Sequence, residues 1–179
     1  MELPRVKARL PRGLADTRNL QLAARTIVFI VLSALGAMVK ASSPVGVLTL
    51  AAAPSFFVAL TYSWAEGAVV AGLGTILAAV VAGFPLGVFA HLYSAVQAAL
   101  WATCLRLAYE QSGPLIALIS TIFLAGVVAA GLLWPLGGLP LVVGSLARLI
   151  ANAAFNVAAA MALFLLFNRS KVVYVRRRH

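Results

Sequence analysis

Three polar residues recur at intervals of four in the last long apolar stretch of the sequence. Arg148, Asn152 and Asn156 stand at positions i, i+4 and i+8, so on an α-helix they lie within roughly 80° of one another on one face. A charged side chain at the centre of a membrane helix costs about 2.5–3.5 kcal/mol on insertion scales, so a buried arginine normally faces a polar cavity or a partner. We interpret the three residues as a ligand-facing stripe. The alternative is that Arg148 reaches the outer interface while the asparagines bond neighbouring helices.

A second polar face is predicted on an earlier helix, where Tyr93, Gln97 and Trp101 show the same spacing. These three residue types suit a flat small molecule, because aromatic rings stack on it and the amide forms hydrogen bonds with it. His91 lies near the outer end of this helix on another face. Against a binding role, aromatic residues on helices more often pack against one another, and His91 is equally typical of the membrane interface.

Catalytic motifs are absent from the sequence. It contains no GxxxxGK[ST] loop, no HExxH and no GxSxG, and His91 has no second histidine within the apolar stretches with which to bind a metal. Beyond the N-terminal segment the acidic residues are Glu66 and Glu110 alone, so a paired-carboxylate mechanism is not expected either. The single cysteine, Cys104, excludes an internal disulfide. We therefore predict a protein that is not an enzyme, with no catalytic residues, no metal site and no cofactor.

Composition places the chain in the membrane. Of its 179 residues 63% are hydrophobic and only 10% are charged, and its mean hydropathy is +1.03. A soluble domain of this size could not bury so much apolar surface. The apolar runs are about twenty residues long and show no alternating pattern, which predicts spanning helices and excludes a barrel. The sequence therefore predicts an all-α integral membrane protein.

The basic residues indicate the orientation. Eleven of the fourteen lysines and arginines lie before position 26 or after position 168, so the positive-inside rule predicts that both termini are cytoplasmic. Both termini on one side require an even number of spans. Nucleic-acid binding is not expected, because apart from Tyr174 these basic segments lack interleaved aromatic residues.

The apolar runs predict a six-helix membrane domain over residues 25–168, with basic cytoplasmic tails over 1–24 and 169–179. Little helix is expected in the first tail. The predicted spans are about 25–39, 47–63, 67–83, 86–107, 114–134 and 141–167, with a kink in the second at Pro54. The loop 106–113 should face the cytoplasm. A cleavable signal peptide at the N-terminus is the alternative, but it would leave five spans and disturb the charge balance.

Four sequence motifs carry a resemblance to a known family. They are SPVG at 43–46, APSFF at 53–57, EGAVVAGLG at 66–74 and GFPLGVFAHL at 83–92. The chain resembles the substrate-binding S components of energy-coupling factor (ECF) vitamin transporters over about residues 34–101, and the six-helix layout extends the resemblance to the end. It is most similar to the branch assigned to alpha-ribazole, a cobalamin precursor, where a GFPL turn followed by a histidine recurs.

The resemblance implies a specific function in the cell membrane of a prokaryote. Such proteins capture a vitamin or precursor in an outward-facing pocket, then topple when a transmembrane coupling protein and two cytoplasmic ATPases act on them. By this resemblance the pocket is expected to use the loop at Ser43 together with His91, Gln97, Arg148, Asn152 and Asn156. Tyr93 and Trp101 are expected in the pocket because of their spacing with Gln97 on the fourth helix. The alanine-rich motif that contacts the coupling protein maps onto Ser33, Ala37 and Ala41, a stripe of small residues on the first helix. This sequence departs from that motif by having serine first.

The resemblance and the charged residues predict different ligands. Alpha-ribazole is a neutral nucleoside, whereas Arg148 and Lys40, with no acidic residue on the outer half, favour a carboxylate, a phosphate or another electron-rich group.

The main alternative function is a structural membrane protein, such as the rod-shape determinant family with a similar six-helix layout. In such a protein the polar stripe would hold helices or partners together. Arg148 distinguishes the two, because a dry interface must satisfy it with a carboxylate or carbonyls, while an empty pocket leaves it facing water. An intramembrane enzyme would need a nucleophile or metal site that the sequence lacks.

Overall fold

The computed structural model describes the backbone of residues 12–85 and 87–176, and the side chains of residues 17–85 and 87–168. The first eleven residues of the predicted tail 1–24 and the last three of 169–179 lie outside the described residues. In chain order the elements are α1 (Arg12–Met38), β1 (Lys40–Ser43), β2 (Gly46–Thr49), α2 (Ala53–Thr61), α3 (Trp64–Ala82), α4 (Val88–Ile122), a π-helical segment (Phe123–Val128), α5 (Ala129–Gly131) and α6 (Trp134–Arg176).

The long helices have the character of membrane spans. In the described part of the chain, four helical stretches are long and apolar enough to cross a bilayer, namely Thr17–Met38, Trp64–Ala82, Val88–Gly131 and Trp134–Asn168. Large apolar side chains on them face outward, including Phe89 at 86% and Leu166 at 64% exposure, and a soluble protein rarely leaves so many uncovered. The chain is therefore a mostly helical, membrane-associated protein.

The chain reverses direction at Gly113, inside the stretch Val88–Gly131. Gly113 has φ 82°, a left-handed conformation that favours glycine. The hydroxyl of Tyr93 donates to the carbonyl of Leu132 at 2.9 Å although the two residues are 39 positions apart, whereas a straight helix would separate them by about 58 Å. The segments 88–112 and 114–131 are thus antiparallel. The expected loop 106–113 is wrong: the helix continues to Ser112, and a single glycine makes the turn.

The turn between α3 and α4 agrees with the sequence. Gly83 adopts φ 74° at the end of α3 and Gly87 adopts φ 82° before α4. The backbone N–H of Phe84 donates to the carbonyl of Ala79 at 2.9 Å, so carbonyls at the end of α3 are satisfied locally. The corresponding break near the start of α6 lies at Gly137 and Gly138, within the expected outer loop 135–140.

The predicted second span is not a full-length helix. Residues 40–49 form a β-hairpin in which Lys40 pairs with Thr49, and only the nine residues of α2 are helical. At 1.5 Å per residue α2 is about 13 Å long, less than half of a bilayer core. The predicted kink at Pro54 is absent. Pro54 lies in the first turn of α2, where a backbone N–H would have had no partner in the helix.

The core of the protein surrounds α2. Phe56, Val58, Ala59 and Leu60 of this helix are at most 3% exposed. Phe56, Ala59 and Leu60 pack in one cluster with buried residues of α3, α4 and α6. At its C-terminal end, the guanidinium of Arg106 donates to the carbonyl of Leu60. A cation at this position satisfies an unpaired carbonyl and complements the helix dipole.

The first helix begins earlier than expected and is anchored to α3 by charge. α1 starts at Arg12 rather than near residue 25. Arg25 forms an ion pair with Glu66 at 2.6 Å, and its guanidinium carbon lies 3.8 Å from the ring centroid of Tyr62. Glu66 is in the first turn of α3, and the N-cap is Ser63, whose hydroxyl accepts from the Glu66 N–H at 3.1 Å.

The stripe of small residues on α1 differs from the prediction. α1 ends at Met38, so Ala41 lies on β1 and does not share a helix face with Ser33 and Ala37. Ser33 is 2% exposed, and a Cβ placed on Gly74 would lie only 2.6 Å from the Cβ of Ser33. In this structure Ser33 therefore packs inside the chain, while Ala37 is half-buried and Ala41 is exposed.

Gly67 and Gly72 provide a matched test of the close packing between α2 and α3. A Cβ on Gly67 would lie 2.7 Å from the Cα of Ala59, whereas the nearest atom to a Cβ on Gly72 is 3.7 Å away. We predict that Gly67→Ala lowers the free energy of unfolding by about 1–3 kcal/mol, because the two backbones must move apart. Gly72→Ala should be neutral or stabilise by up to about 1 kcal/mol through helix propensity. Thermal unfolding in detergent measures both, and equal melting temperatures would contradict this packing.

Candidate functional site

A cavity of about 290 Å³ lies between α2, α3, α4, the π-helical segment, α5 and α6. Seven of its lining residues are alanines, whose short side chains leave space between the helices. This volume is near the lower limit of small-molecule sites. The polar and aromatic residues in the wall are Ser55, Phe56, Thr75, Ser94, Gln97, Trp101, Arg148, Asn152 and Asn156.

The cavity brings together five of the eight predicted substrate-binding residues: Gln97, Trp101, Arg148, Asn152 and Asn156. The other three do not line it. The hydroxyl of Ser43 donates to the carbonyl of Gly46 within the hairpin turn, and Tyr93 bonds the carbonyl of Leu132. The ring of His91 packs edge-on against Phe84 with 5.7 Å between centroids. A binding role for these three residues stays a prediction.

Asn156 connects α6 to the start of α2. It is fully buried, and its Oδ1 accepts from the backbone N–H groups of Ala52 and Ala53 at 3.0 and 2.8 Å. Its Nδ2 donates to the carbonyls of Thr49 and Asn152 at 2.7 and 2.8 Å. These four bonds use the full capacity of the amide. Asn156 therefore caps α2 in place of a local side chain, and its amide has no free donor or acceptor for a ligand.

Asn152 has one hydrogen-bonding atom to spare. Its Oδ1 accepts from the backbone N–H of Thr49 at 2.9 Å, which fixes the orientation of the amide because only oxygen can accept there. Its Nδ2 has no hydrogen-bond partner among the described residues. The side chain lines the cavity, so one donor remains available.

Gln97 is the least satisfied polar group in the wall. The residue is 8% exposed, and its Nε2 is buried without a hydrogen-bond partner in the described part of the chain. Leaving a buried amide unpaired costs about 1–3 kcal/mol. Trp101 lies one helical turn further along α4 and lines the same cavity. A ligand with matching polar atoms would remove the cost at Gln97.

Arg148 lies at the rim of the cavity. The residue is exposed, and its Cδ would lie 3.3 Å from a Cβ on Gly46, so its aliphatic part follows the hairpin turn. Both carboxylates whose side chains are described pair elsewhere, Glu66 with Arg25 and Glu110 with Arg106. Within the described residues the guanidinium of Arg148 has no ion-pair or hydrogen-bond partner.

The N-terminus of α2 adds to the positive potential of the site. Ala51 and Ala52 line the cavity, immediately before the first turn of α2. The partial positive charge at a helix N-terminus favours negative groups nearby. Together with Arg148, this makes the wall electropositive.

Sequence reasoning missed Ser55 and Thr75 as wall residues. Each hydroxyl donates within its own helix, Ser55 to the carbonyl of Ala52 at 2.8 Å and Thr75 to that of Ala71 at 2.8 Å. A serine or threonine that bonds its own helix is common in apolar helices. The sequence therefore contained no signal that separates these two from ordinary helix residues.

A larger groove of about 620 Å³ lies between α1, α2 and α6. The described residues of its wall have only apolar side chains, among them Phe29, Phe57 and Leu163. Such a wall offers shape but no hydrogen-bonding specificity. Among the described residues, no three His, Cys, Asp or Glu side chains are grouped so that they could hold a metal ion.

The two buried amides predict opposite effects on stability. Asn156→Leu should lower the free energy of unfolding by about 3 kcal/mol or more, because it leaves the N–H groups of Ala52 and Ala53 buried and unpaired. Gln97→Leu should leave the stability of the ligand-free protein unchanged or raise it by up to about 1 kcal/mol, because it removes an amide that has no partner. Thermal unfolding of the two variants in detergent checks this. A destabilisation by Gln97→Leu as large as that by Asn156→Leu would mean that Gln97 is also structural.

Neither the models of known protein families nor the curated protein sequences give a match to this chain.

Proposed function

We propose that this chain is the substrate-binding membrane subunit of an energy-coupling factor importer that captures a vitamin or cofactor precursor from outside the cell. The observation that carries the proposal is the polar cavity inside an apolar helical protein, where Gln97 and Arg148 have no partner in the described part of the chain. An unpaired polar group is costly when it is buried, as Gln97 is, whereas Arg148 is an unpaired cation at the exposed rim. A ligand that pairs with them explains why they stand there.

The contrast with Asn156 supports binding over a purely structural role. Asn156 shows what a structural polar residue looks like in this fold, since all its hydrogen bonds are made within the chain. Gln97 lines the same cavity but makes none with the described residues. If the polar faces only joined helices, Gln97 and Arg148 would be expected to have comparable partners.

The proposed topology has six passes and both termini in the cytoplasm. The antiparallel segments 88–112 and 114–131 supply two passes, and the hairpin with α2 supplies a short one between α1 and α3. The ion pairs Arg25–Glu66 and Arg106–Glu110 lie toward the C-terminal end of α2, because Tyr62 stacks on Arg25 and Leu60 bonds Arg106. That end is the proposed cytoplasmic side. Lys40 and Arg148, by the hairpin, are then on the outer side.

The proposed partners are a transmembrane coupling protein and two cytoplasmic ATPases in the cell membrane of a prokaryote. This part of the proposal rests on the resemblance of residues 34–101 to the family. Since Ser33 packs against Gly74, the coupling protein would contact Ala37 and Ala41 rather than Ser33.

Retention of a bound ligand tests the proposed function. The full chain is purified in detergent and denatured, and the released small molecules are identified by mass spectrometry. We expect a stoichiometric vitamin or precursor in the wild type and at least a tenfold loss of it in Gln97→Leu and Arg148→Gln, because each removes a direct polar contact. Arg18→Gln, at an exposed position of α1 outside the cavity wall, is the control and should retain the ligand. An empty wild type that also shows no thermal shift with added vitamins would favour the structural alternative.

Reporter fusions test the topology. A green fluorescent protein fused to the C-terminus should fluoresce, whereas alkaline phosphatase in the same place should be inactive, because that end is proposed to be cytoplasmic. Alkaline phosphatase inserted into the turn 83–87 should be active. The opposite pattern at either site would contradict the six-pass arrangement.

A further inference from the structure

The polar groups of the cavity differ in depth. Gln97 is 8% exposed, whereas Arg148 is exposed and contacts the hairpin turn at Gly46. A ligand that reaches both must lie with one end deep in the protein and the other at the rim. The deep end of the ligand would contact an uncharged amide, and the end at the rim would contact a cation.

The deep end suits a planar ring with hydrogen-bonding atoms on its edge. Gln97 makes no hydrogen bond with the described residues, so its amide offers both a donor and an acceptor. Trp101 lies one turn away on the same helix and in the same wall, and an indole stacks well on flat rings. Apart from these groups the surroundings are chiefly alanine, which favours an apolar ring face over a strongly hydrated group.

The rim suits a negative charge. Arg148 is a cation without a carboxylate partner among the described side chains. Asn152 lies one helical turn away with a free Nδ2 donor, and the N-terminus of α2 contributes partial positive charge. Among the described residues, no acidic side chain lines the cavity. A guanidinium with nearby amide donors is well matched to a carboxylate or phosphate.

The size of the cavity limits the ligand. Its 290 Å³ corresponds to about ten water molecules at roughly 30 Å³ each. One or two fused rings with a short charged substituent suit that space.

We propose that the ligand is a small anion made of a planar ring system and a carboxylate or phosphate group. Its ring binds deep against Gln97 and Trp101, and its charged group binds Arg148 at the rim. This inference rests on the proposed function and adds the charge and the orientation of the substrate.

Matched neutral and anionic probes test the inference. The purified full chain is titrated calorimetrically with nicotinamide and nicotinate, with pyridoxal and its 5′-phosphate, and with alpha-ribazole and its 5′-phosphate. In a pair that binds, we expect the anion to bind at least tenfold tighter than its neutral partner. Arg148→Gln should reduce this preference to within about twofold by weakening only the anion.

Two further variants separate the two ends of the ligand. Gln97→Leu should weaken both members of a pair by a similar factor, because both carry the same ring. Arg18→Gln removes the same charge from an exposed position on α1 and should change neither affinity, which controls for net charge.

The outcomes distinguish this inference from the proposed function. Tighter binding of the neutral member, or a preference that survives Arg148→Gln, would overturn the inference while leaving a binding protein. That result would also arise if Arg148 contacted lipid phosphates instead of ligand. A retained compound without a carboxylate or phosphate would overturn it equally. If no probe binds and no compound is retained, the proposed function fails and the inference fails with it.

Discussion

The fold depends on satisfying the two ends of a helix that is too short to cross the bilayer. α2 has nine residues and no capping side chain of its own, yet its core residues are almost completely buried. Unpaired backbone groups cost several kilocalories per mole in such surroundings. Asn156 of α6 bonds the first N–H groups, and Arg106 of α4 bonds a carbonyl at the other end. Two long helices are thereby fixed around a short one.

The short helix also explains why there is a cavity. α2 begins at Ala53, and the two residues before it, Ala51 and Ala52, form part of the cavity wall. A full-length second span would fill this space with helix. The β-hairpin replaces the missing turns and carries the chain past Arg148 at Gly46. The shortness of α2 therefore has two consequences: its N-terminus needs a cap from another helix, and a cavity is left beside that N-terminus.

The sequence predicts which residues share a face better than what each one binds. Helical spacing placed Arg148, Asn152 and Asn156 together, and all three line one cavity. Helical spacing could not show that the Asn156 amide bonds the backbone at the start of α2, because that backbone is more than a hundred positions away in the sequence. The hairpin was missed because β1 is the polar segment KASS, which has no strand pattern, and β2 is a short apolar run that is ambiguous between helix and strand. The length of the loop predicted at 106–113 was overestimated, because one glycine with positive φ is sufficient to reverse the chain.

The two ends of the protein differ in whether their arginines have carboxylate partners. At the end of the molecule near Tyr62 both described arginines have carboxylate partners, and Arg106 also caps α2. At the hairpin end Arg148 has none within the described residues, and the nearest deep polar group, Gln97, is unpaired as well. Violations of polar satisfaction are expected chiefly at functional sites, where they are tolerated because another molecule completes them. Other buried polar atoms without a partner in the described residues, such as the hydroxyls of Ser33 and Thr121, lie away from the cavity. Gln97 and Arg148 border one cavity, so a single bound molecule could pair with both.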